Sequence, residues 1–181
     1  KRFEGSQKTN EVARKSAFSK MIILLDTNII STFSKIKKLE LLYGVFNTDV
    51  FYISPNVSNE IMIAKEKGYV FVNLVADLLQ KKKIISLTLT SEEETKVNKL
   101  PLSFSKGERD SLVICKERNG IFATNERKVI NYCKKHNIAY FDLRDILKAL
   151  YMFMKLSKNE LSKLIKDIEE KDNIIIKDKK E

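Results

Sequence analysis

Acidic residues stand at the ends of apolar, strand-like runs and at intervals between those runs. Asp26 ends the first run, and Glu126 comes two residues after the fourth. Glu60 follows the second run, and Glu108 and Asp110 precede the fourth. Carboxylates that are held together repel each other, and a hard divalent cation with oxygen ligands relieves that repulsion. The spacing therefore predicts an acidic cation site, provided that these segments meet at one edge of a sheet.

Each of these acids also has a purely structural interpretation. Asp26 precedes a helical pattern and is suited to cap that helix, and Glu126 is suited to the first turn of a later helix, where the helix dipole favours an acid. Glu60 is also consistent with a solvated helix surface. Glu108 and Asp110 are two positions apart and do not share a helix face. At most one of them is therefore expected in a site, and the other as a cap or an ion-pair partner.

The elements that must position these acids alternate between strand-like and helical patterns. Strands are expected in five segments, at residues 21–26, 50–54, 81–89, 121–124 and 138–141. This alternation predicts an α/β fold of three layers, α/β/α, around a central, mostly parallel sheet of four to five strands. In such sheets, sites form at the carboxyl ends of strands near the point where the strand order reverses. We expect the first and fourth strands to be parallel neighbours there.

The alternating pattern occupies only part of the chain. It spans residues 21–154, which are expected to form one domain. Residues 1–20 carry six basic and two acidic residues without sustained periodicity, and they are expected to be a basic N-terminal arm upstream of the fold. Residues 155–181 are expected to form a C-terminal helix and tail. Within that tail, the stretch 173–177 reads as either an edge strand or an irregular segment.

Capping residues mark the starts of several predicted helices. Ser91 with Glu94 fits a capping box, in which each of the two side chains binds the backbone N–H of the other residue. Ser105, Asp142 and Ser157 precede three further helical patterns. These positions predict where four helices begin.

Composition and charge narrow the class of protein. The 181 residues are 43% apolar and 32% charged, as is typical of a globular domain with a heavily charged surface. Lys and Arg number 34 against 24 Asp and Glu, so the formal net charge is +10. A basic protein attracts polyanions such as nucleic acid, although a lysine-rich solvated surface is the other interpretation. No apolar run approaches the roughly 20 residues that span a bilayer, and no secretory signal is visible. A cytoplasmic protein is therefore expected.

Other chemistries find little support in the residues. The five glycines are scattered, so the sequence has no glycine-rich phosphate loop. His136 is the single histidine and is expected to be an exposed residue at a helix end, which gives Ser-His or Cys-His mechanisms little support. Cys115 and Cys133 fall on apolar helix faces and are expected in the core. Asn28 stands where an aspartyl-nucleophile phosphatase motif needs a second acid.

Four short motifs, taken in order, resemble those of PIN-domain nucleases. They read LLDTNIIS, SPNVSNEI, SKGERDSLVICKE and FATNERKVINYCKKHNI, and the resemblance covers about residues 21–150. The basic character is similar to that of toxin-type (VapC-like) ribonucleases. Three further features resemble a branch of predicted nucleic-acid-binding PIN proteins. They are the segment KIKKLELL after the first motif, the GE-x-D pattern in the third motif and the closing segment LSKNELSKLIKDIEEKDNIII. The resemblance implies a PIN-like version of the three-layer fold predicted above.

The resemblance also assigns the acids. The first, second and third acids of the family fall on Asp26, Glu60 and Asp110, which leaves Glu108 as a structural partner. These three are implied to be catalytic, with Mg²⁺ or Mn²⁺ held by Asp26 and Asp110. The ion would activate a water for phosphodiester hydrolysis, and Glu60 would orient or deprotonate that water.

The fourth motif departs from the family pattern. The family usually has an Asp after the fourth strand, whereas this sequence reads Thr124-Asn125-Glu126. Either Glu126 replaces the fourth catalytic acid with a longer side chain, or Asn125 is a neutral ligand.

Polar and basic residues beside the acidic motifs are expected to hold the substrate. Because lysine dominates the basic residues, phosphate contacts without much base reading are expected. The expected substrate-binding residues are Asn28, Lys106, Arg109, Thr124, Asn125, Arg127 and Lys128.

The leading hypothesis is a metal-dependent endoribonuclease of toxin type that acts on single-stranded RNA. A nucleic-acid-binding PIN module that has lost its metal site at Asn125 and Glu126 is the first alternative. The second is an interaction protein whose acidic pocket is held by an antitoxin-like partner. A homodimer is a further expected assembly, and no membrane partner is expected.

Overall fold

Five parallel strands form the centre of the protein, as described by a computed structural model for residues 21–154 and 156–176. The predicted arm at residues 1–20 lies outside the described residues. The strand order is β3-β2-β1-β4-β5, so the first and fourth strands are parallel neighbours, as predicted. The strands are β1 (Ile23–Leu25), β2 (Phe51–Ile53), β3 (Ile84–Ser86), β4 (Ile121–Ala123) and β5 (Ala139–Phe141).

Helices connect the strands and follow the last of them. Within the described ranges they are α1 (Thr27–Lys35), α2 (Glu40–Phe46), α3 (Pro55–Glu66), α4 (Val72–Gln80), α5 (Ser91–Val97), α6 (Lys106–Glu117), α7 (Arg127–His136), α8 (Leu143–Phe153) and α9 (Lys158–Asp172).

Alternating side chains of the strands supply two separate cores. Leu24 lies in register with Phe122, and both are buried in the core beneath α6 and α7. Ile23 and Leu25 are buried in the opposite core, with residues of α1 to α4, α8 and α9. Because successive strand residues point to opposite faces, one uninterrupted apolar run can serve both cores. The prediction of a three-layer α/β/α fold is confirmed.

The observed helix caps match the predicted caps at three positions and differ from the prediction at one. Thr90, not Ser91, caps α5, and it forms the capping box with Glu93. Arg118 explains the difference of one residue, because its Nε and Nη2 donate to both carboxylate oxygens of the buried Glu93. The predicted caps at Ser105, Asp142 and Ser157 are confirmed.

The C-terminal helix α9 packs on α1. Ile168 is fully buried in the larger core, and Asp172 accepts hydrogen bonds from Thr32 and from Lys35 Nζ. Residues 173–176 are irregular, so the alternative of an edge strand is wrong for that part of the stretch. Within the described ranges, no helix has both the length and the apolar character that crossing a bilayer requires.

We expect Ile168→Ala to lower the free energy of unfolding by about 2–5 kcal/mol, because it leaves a cavity between α9 and α1. Ile175→Ala is the matched control, since the Ile175 side chain is 84% exposed, and it should change stability by less than about 0.5 kcal/mol. Urea unfolding followed by circular dichroism measures both. Equal midpoints for the two variants would contradict the docking of α9 in the core.

Candidate active site

Asp26 lies at the carboxyl end of β1 and caps α1. Its Oδ1 accepts a hydrogen bond from Thr27 N at 2.8 Å. Its Oδ2 accepts from Asn28 Nδ2 at 2.9 Å and from Thr124 Oγ1, at the end of β4, at 2.6 Å. The residue is only 6% exposed. Capping and a place in the site are therefore compatible at this position, because one carboxylate does both.

Burial sets the protonation of this carboxyl group. It raises the pKa of Asp26 from 3.8 to about 6, and the hydrogen bond from Thr124 lowers that pKa in part. The negative charges of Glu108 and Glu60 raise the pKa of Asp26 further. Asp26 is therefore a buried acid in a field of neighbouring carboxylates, an environment that favours either a proton or a cation.

Glu60 lies where α1, α3 and α6 meet. Thr27 Oγ1 donates a hydrogen bond to Glu60 Oε2. A Cβ atom at Gly107 would lie 3.0 Å from Glu60 Oε1 and 2.9 Å from Val57 Cγ2, so α6 can approach α3 this closely only at a glycine. Glu60 therefore lies between α1 and α6 rather than on a solvated helix surface.

Asp110, on α6, is 1% exposed and is held by a residue that the sequence reasoning missed. Its Oδ2 accepts from the backbone N of Asn56 at 3.1 Å and from Asn56 Nδ2 at 2.7 Å. Burial raises the pKa of Asp110, while the bonds from Asn56 and the charge of Arg109 lower it. Both hydrogen bonds that Asp110 accepts from described residues reach Oδ2, which leaves Oδ1 for a ligand. An Asn directly after Pro55 was the available signal, but locally it indicates only a helix start.

Glu108 takes the structural position at the start of α6. Its carboxylate closes the capping box by accepting from Ser105 N at 2.7 Å, and Lys128 Nζ lies 3.2 Å from its Oε2. Glu108 is therefore a cap and an ion-pair partner, and Asp110 rather than Glu108 contacts α3.

The fourth motif follows β4 and faces the end of β1. Thr124 is fully buried, and its Oγ1 accepts from Glu126 N at 3.2 Å. Asn125 is exposed, and its backbone N donates to Asn28 Oδ1 at 3.2 Å. Glu126 precedes α7 as its N-cap residue, but its side chain makes no capping hydrogen bond. The half-buried Glu126 carboxylate is therefore not engaged in capping.

The predicted substrate-binding cations differ in their surroundings. Lys106 and Arg127 are exposed at the first turns of α6 and α7. Lys128 donates to the carbonyl O of Ser103 at 2.9 Å. Arg109 is half-buried, and its Nε has no hydrogen-bond partner among the described residues.

The carboxylate oxygens of the site suit a hard cation that keeps part of its water shell. Within the described ranges, no three Asp, Glu, His or Cys side chains come together as a ready metal-binding cluster. Carboxylate oxygens are nevertheless the ligands that Mg²⁺ and Mn²⁺ prefer, and Mg²⁺ usually takes one or two carboxylates and keeps several waters. Asp26 and the second oxygen of Asp110 are ligands of that chemical type, and among the described carboxylates it is Glu108 and Glu60 whose charges act on Asp26.

Comparison with known proteins identifies the family. A family model described as a PIN domain matches residues 22–180. The chain belongs to the PIN-domain family. Members of the family are in general nucleases and typically use divalent metal ions. The predicted family is thus confirmed for this PIN domain.

Among solved structures, this PIN domain is similar to a PilT N-terminus domain protein from the hyperthermophilic archaeon Sulfolobus solfataricus P2. The two are 17% identical with a TM-score of 0.48, and the alignment covers 71% of this chain and 92% of that chain. A comparison with curated proteins finds no match.

We expect the stability of the metal-free protein to fall as the pH rises from 4 to 7. The folded-state pKa of Asp26 is about 6 against an ordinary 3.8, so ionisation at the higher pH disfavours the folded state by up to about 3 kcal/mol. Asp26→Asn should reduce this decline and leave a smaller one, because burial also raises the pKa of Asp110 and of Asp145. Urea unfolding in EDTA at both pH values measures it, with Asp49→Asn at an exposed position as the matched control. The same pH dependence in Asp26→Asn as in the wild type would contradict the assignment to Asp26.

Proposed function

We propose that this PIN domain is a metal-dependent endoribonuclease of toxin type that hydrolyses phosphodiester bonds in single-stranded RNA. The observation that carries the proposal is the buried Asp26 carboxylate at the joined ends of β1 and β4, under the charge of Glu60 and Glu108. The hydrogen bonds from Thr27 and Thr124 offset the burial of Asp26 only in part, since its pKa stays raised, and perturbed acids of this kind cluster at functional sites.

Asp26 and Asp110 would hold Mg²⁺ or Mn²⁺ in this proposal. The bound ion would lower the pKa of a coordinated water and offset the charge that develops on the phosphate. Thr124 and Asn28 fix the Asp26 carboxylate, and Asn56 fixes that of Asp110. Their hydrogen bonds support the ligands from behind, which is how outer-shell groups orient metal-binding side chains.

Glu60 and Glu126 would act on the attacking water and the leaving group. Thr27 holds one oxygen of Glu60, which leaves the other to accept a proton from the water or to orient it. Glu126 is proposed as the fourth acid, because its carboxylate is not engaged in capping α7.

The cations around this edge would hold the RNA backbone. Arg109 is half-buried, and its charge acts on Asp110, one of the two proposed ligands. Lys106 and Arg127 extend from the first turns of two neighbouring helices, and Lys128 lies beside Glu108. A row of such cations neutralises phosphates without reading bases, so little sequence preference is expected.

A nucleic-acid-binding module without catalysis is the second candidate. The observation that favours it is the lack of a three-ligand cluster in the described part of the chain, together with Asn125 and Glu126 in place of the usual acid. Such a module would keep the basic surface and bind RNA without cutting it.

We expect Asp110→Asn to reduce Mn²⁺-dependent RNA cleavage by about 100-fold or more, because it removes a charged ligand while keeping the bonds to Asn56. Glu66→Gln, at an exposed position of α3, is the matched control and should cut like the wild type. A fluorescently labelled single-stranded RNA measures the rate. A folded wild type that binds RNA but cuts none with Mg²⁺ or Mn²⁺ would replace the nuclease with the binding module.

We expect Glu126→Gln to lose at least about tenfold in cleavage rate, since general acid–base groups contribute roughly 100-fold or more. The same RNA assay measures the loss, and Asn125→Ala tests the neighbouring position. A normal rate for Glu126→Gln with a large loss for Asn125→Ala would move the fourth ligand to Asn125.

A further inference from the structure

A groove of about 310 Å³ lies between α5, α6 and α7, on the face of the sheet opposite α9. Three lysines line it, namely Lys96, Lys99 and Lys116. Tyr132 and His136 of α7 form its aromatic wall, and apolar residues of α6 form its floor. We call it the lysine–aromatic groove. A pocket of this size, with cations beside rings, suits one nucleotide.

The aromatic wall is a fixed stack. The rings of Phe104 and Tyr132 meet edge to face at 5.3 Å between centroids. The ring of His136 stacks on that of Tyr132, with 4.0 Å between the ring centroids and an interplanar angle of 23°. His136 is half-buried, so it continues the stack towards the groove. Bases add to stacks of this kind with little regard to their identity.

The three lysines of the groove differ in whether another group of the protein pairs with their charge. Lys96 pairs with Glu117, and Lys116 Nζ donates to the carbonyl O of His136 at 2.8 Å. Lys99 is exposed and forms no ion pair within the described ranges. The neighbouring helix α7 contains no acidic residue between its first and last positions and carries Arg127, Lys128, Lys134 and Lys135. Glu117 also lines the groove and α5 carries Glu92, Glu93 and Glu94, but Glu117 is paired with Lys96 and Glu93 with Arg118. Lys99 is therefore the lysine of the groove whose charge is left for a phosphate.

Helix α7 connects the groove to the acidic edge, since Tyr132 and His136 line the groove and Lys128 pairs with Glu108. Lys128, Tyr132 and His136 are spaced four residues apart, so they lie on one face of the helix. Lys128 contacts Glu108 in the first turn of α6, the helix that carries Asp110. From Lys128 to His136 the helix rises about 12 Å, at 1.5 Å per residue. At about 3.4 Å per stacked nucleotide, this distance corresponds to three or four nucleotides.

We infer that the lysine–aromatic groove is a binding subsite for single-stranded nucleic acid, three or four nucleotides from the bond at the acidic edge. A base stacks on His136, and the adjoining phosphate contacts Lys99. This inference rests on the proposed function, since it extends the path of the strand that the acidic edge would cut. The recognised chemistry is a base with its phosphate, which RNA and DNA share.

The test is fluorescence anisotropy with a labelled 12-nucleotide single strand, as RNA and as DNA of the same sequence, in EDTA. His136→Ala should weaken binding about fivefold or more, and His136→Phe should restore it to within about twofold, because stacking requires only an aromatic face. Lys99→Glu should also weaken binding and reduce the salt slope by about 0.7, the value for one phosphate of a single strand. The tighter of the two strands identifies the natural polymer.

Lys163→Glu is the matched control, because Lys163 is an exposed residue of α9 on the opposite side of the sheet. It should change affinity by less than about twofold at physiological salt, where distant charges are screened. The inference is overturned if Lys99→Glu and His136→Ala bind the 12-mer as Lys163→Glu does.

Cleavage of the same RNA in Mn²⁺ separates this inference from the proposed function. If the wild type cuts and both groove variants bind and cut like it, the subsite is wrong and the nuclease stands. If the wild type binds without cutting while the groove variants lose affinity, the subsite stands and the nuclease proposal fails.

Discussion

A buried carboxylate is the constraint on which the site depends. Asp26 ends the central strand of the sheet, where burying an ionised group is costly unless hydrogen bonds and a counter-charge compensate it. The parallel register of Leu25 with Ala123 brings Thr124 beside it, and Thr27 and Asn28 donate from the start of α1. The same hydrogen bonds tie β1 to β4, so the residue that costs stability also organises the sheet end.

Glu60 reaches that point through close contact between helix N-termini. Gly107 lets α6 approach α3, which places Glu60 between α6 and α1. Asn56 then holds one oxygen of Asp110 at the same junction. Glu60 and Asp110 accept hydrogen bonds from described residues at one oxygen each, whereas Asp26 accepts them at both. This arrangement suits an ion shared with water rather than a closed structural metal site.

Acidic and basic groups are separated along the molecule in a way that suits a polyanionic substrate. An acidic edge alone would repel phosphates, and the cations of α7 begin directly beside it, where Lys128 meets Glu108. From there the basic and aromatic residues continue along one helix face to His136 and the groove near Lys99. In the proposed function, the surface that attracts a strand would thus adjoin the surface that acts on its backbone.

Local pattern alone determined much of this protein. The apolar run before Asp26, the alternation with helices and the caps such as Ser105 carry their information within a few residues, so the strands, their parallel neighbours and the PIN family could be predicted. Only the tertiary structure decided that Asn56 holds Asp110, 54 residues away, and that Arg118 moves the cap of α5 to Thr90. These contacts join distant parts of the chain. Hydrophobic periodicity predicts only which face of a single helix or strand is buried, so it cannot predict such contacts.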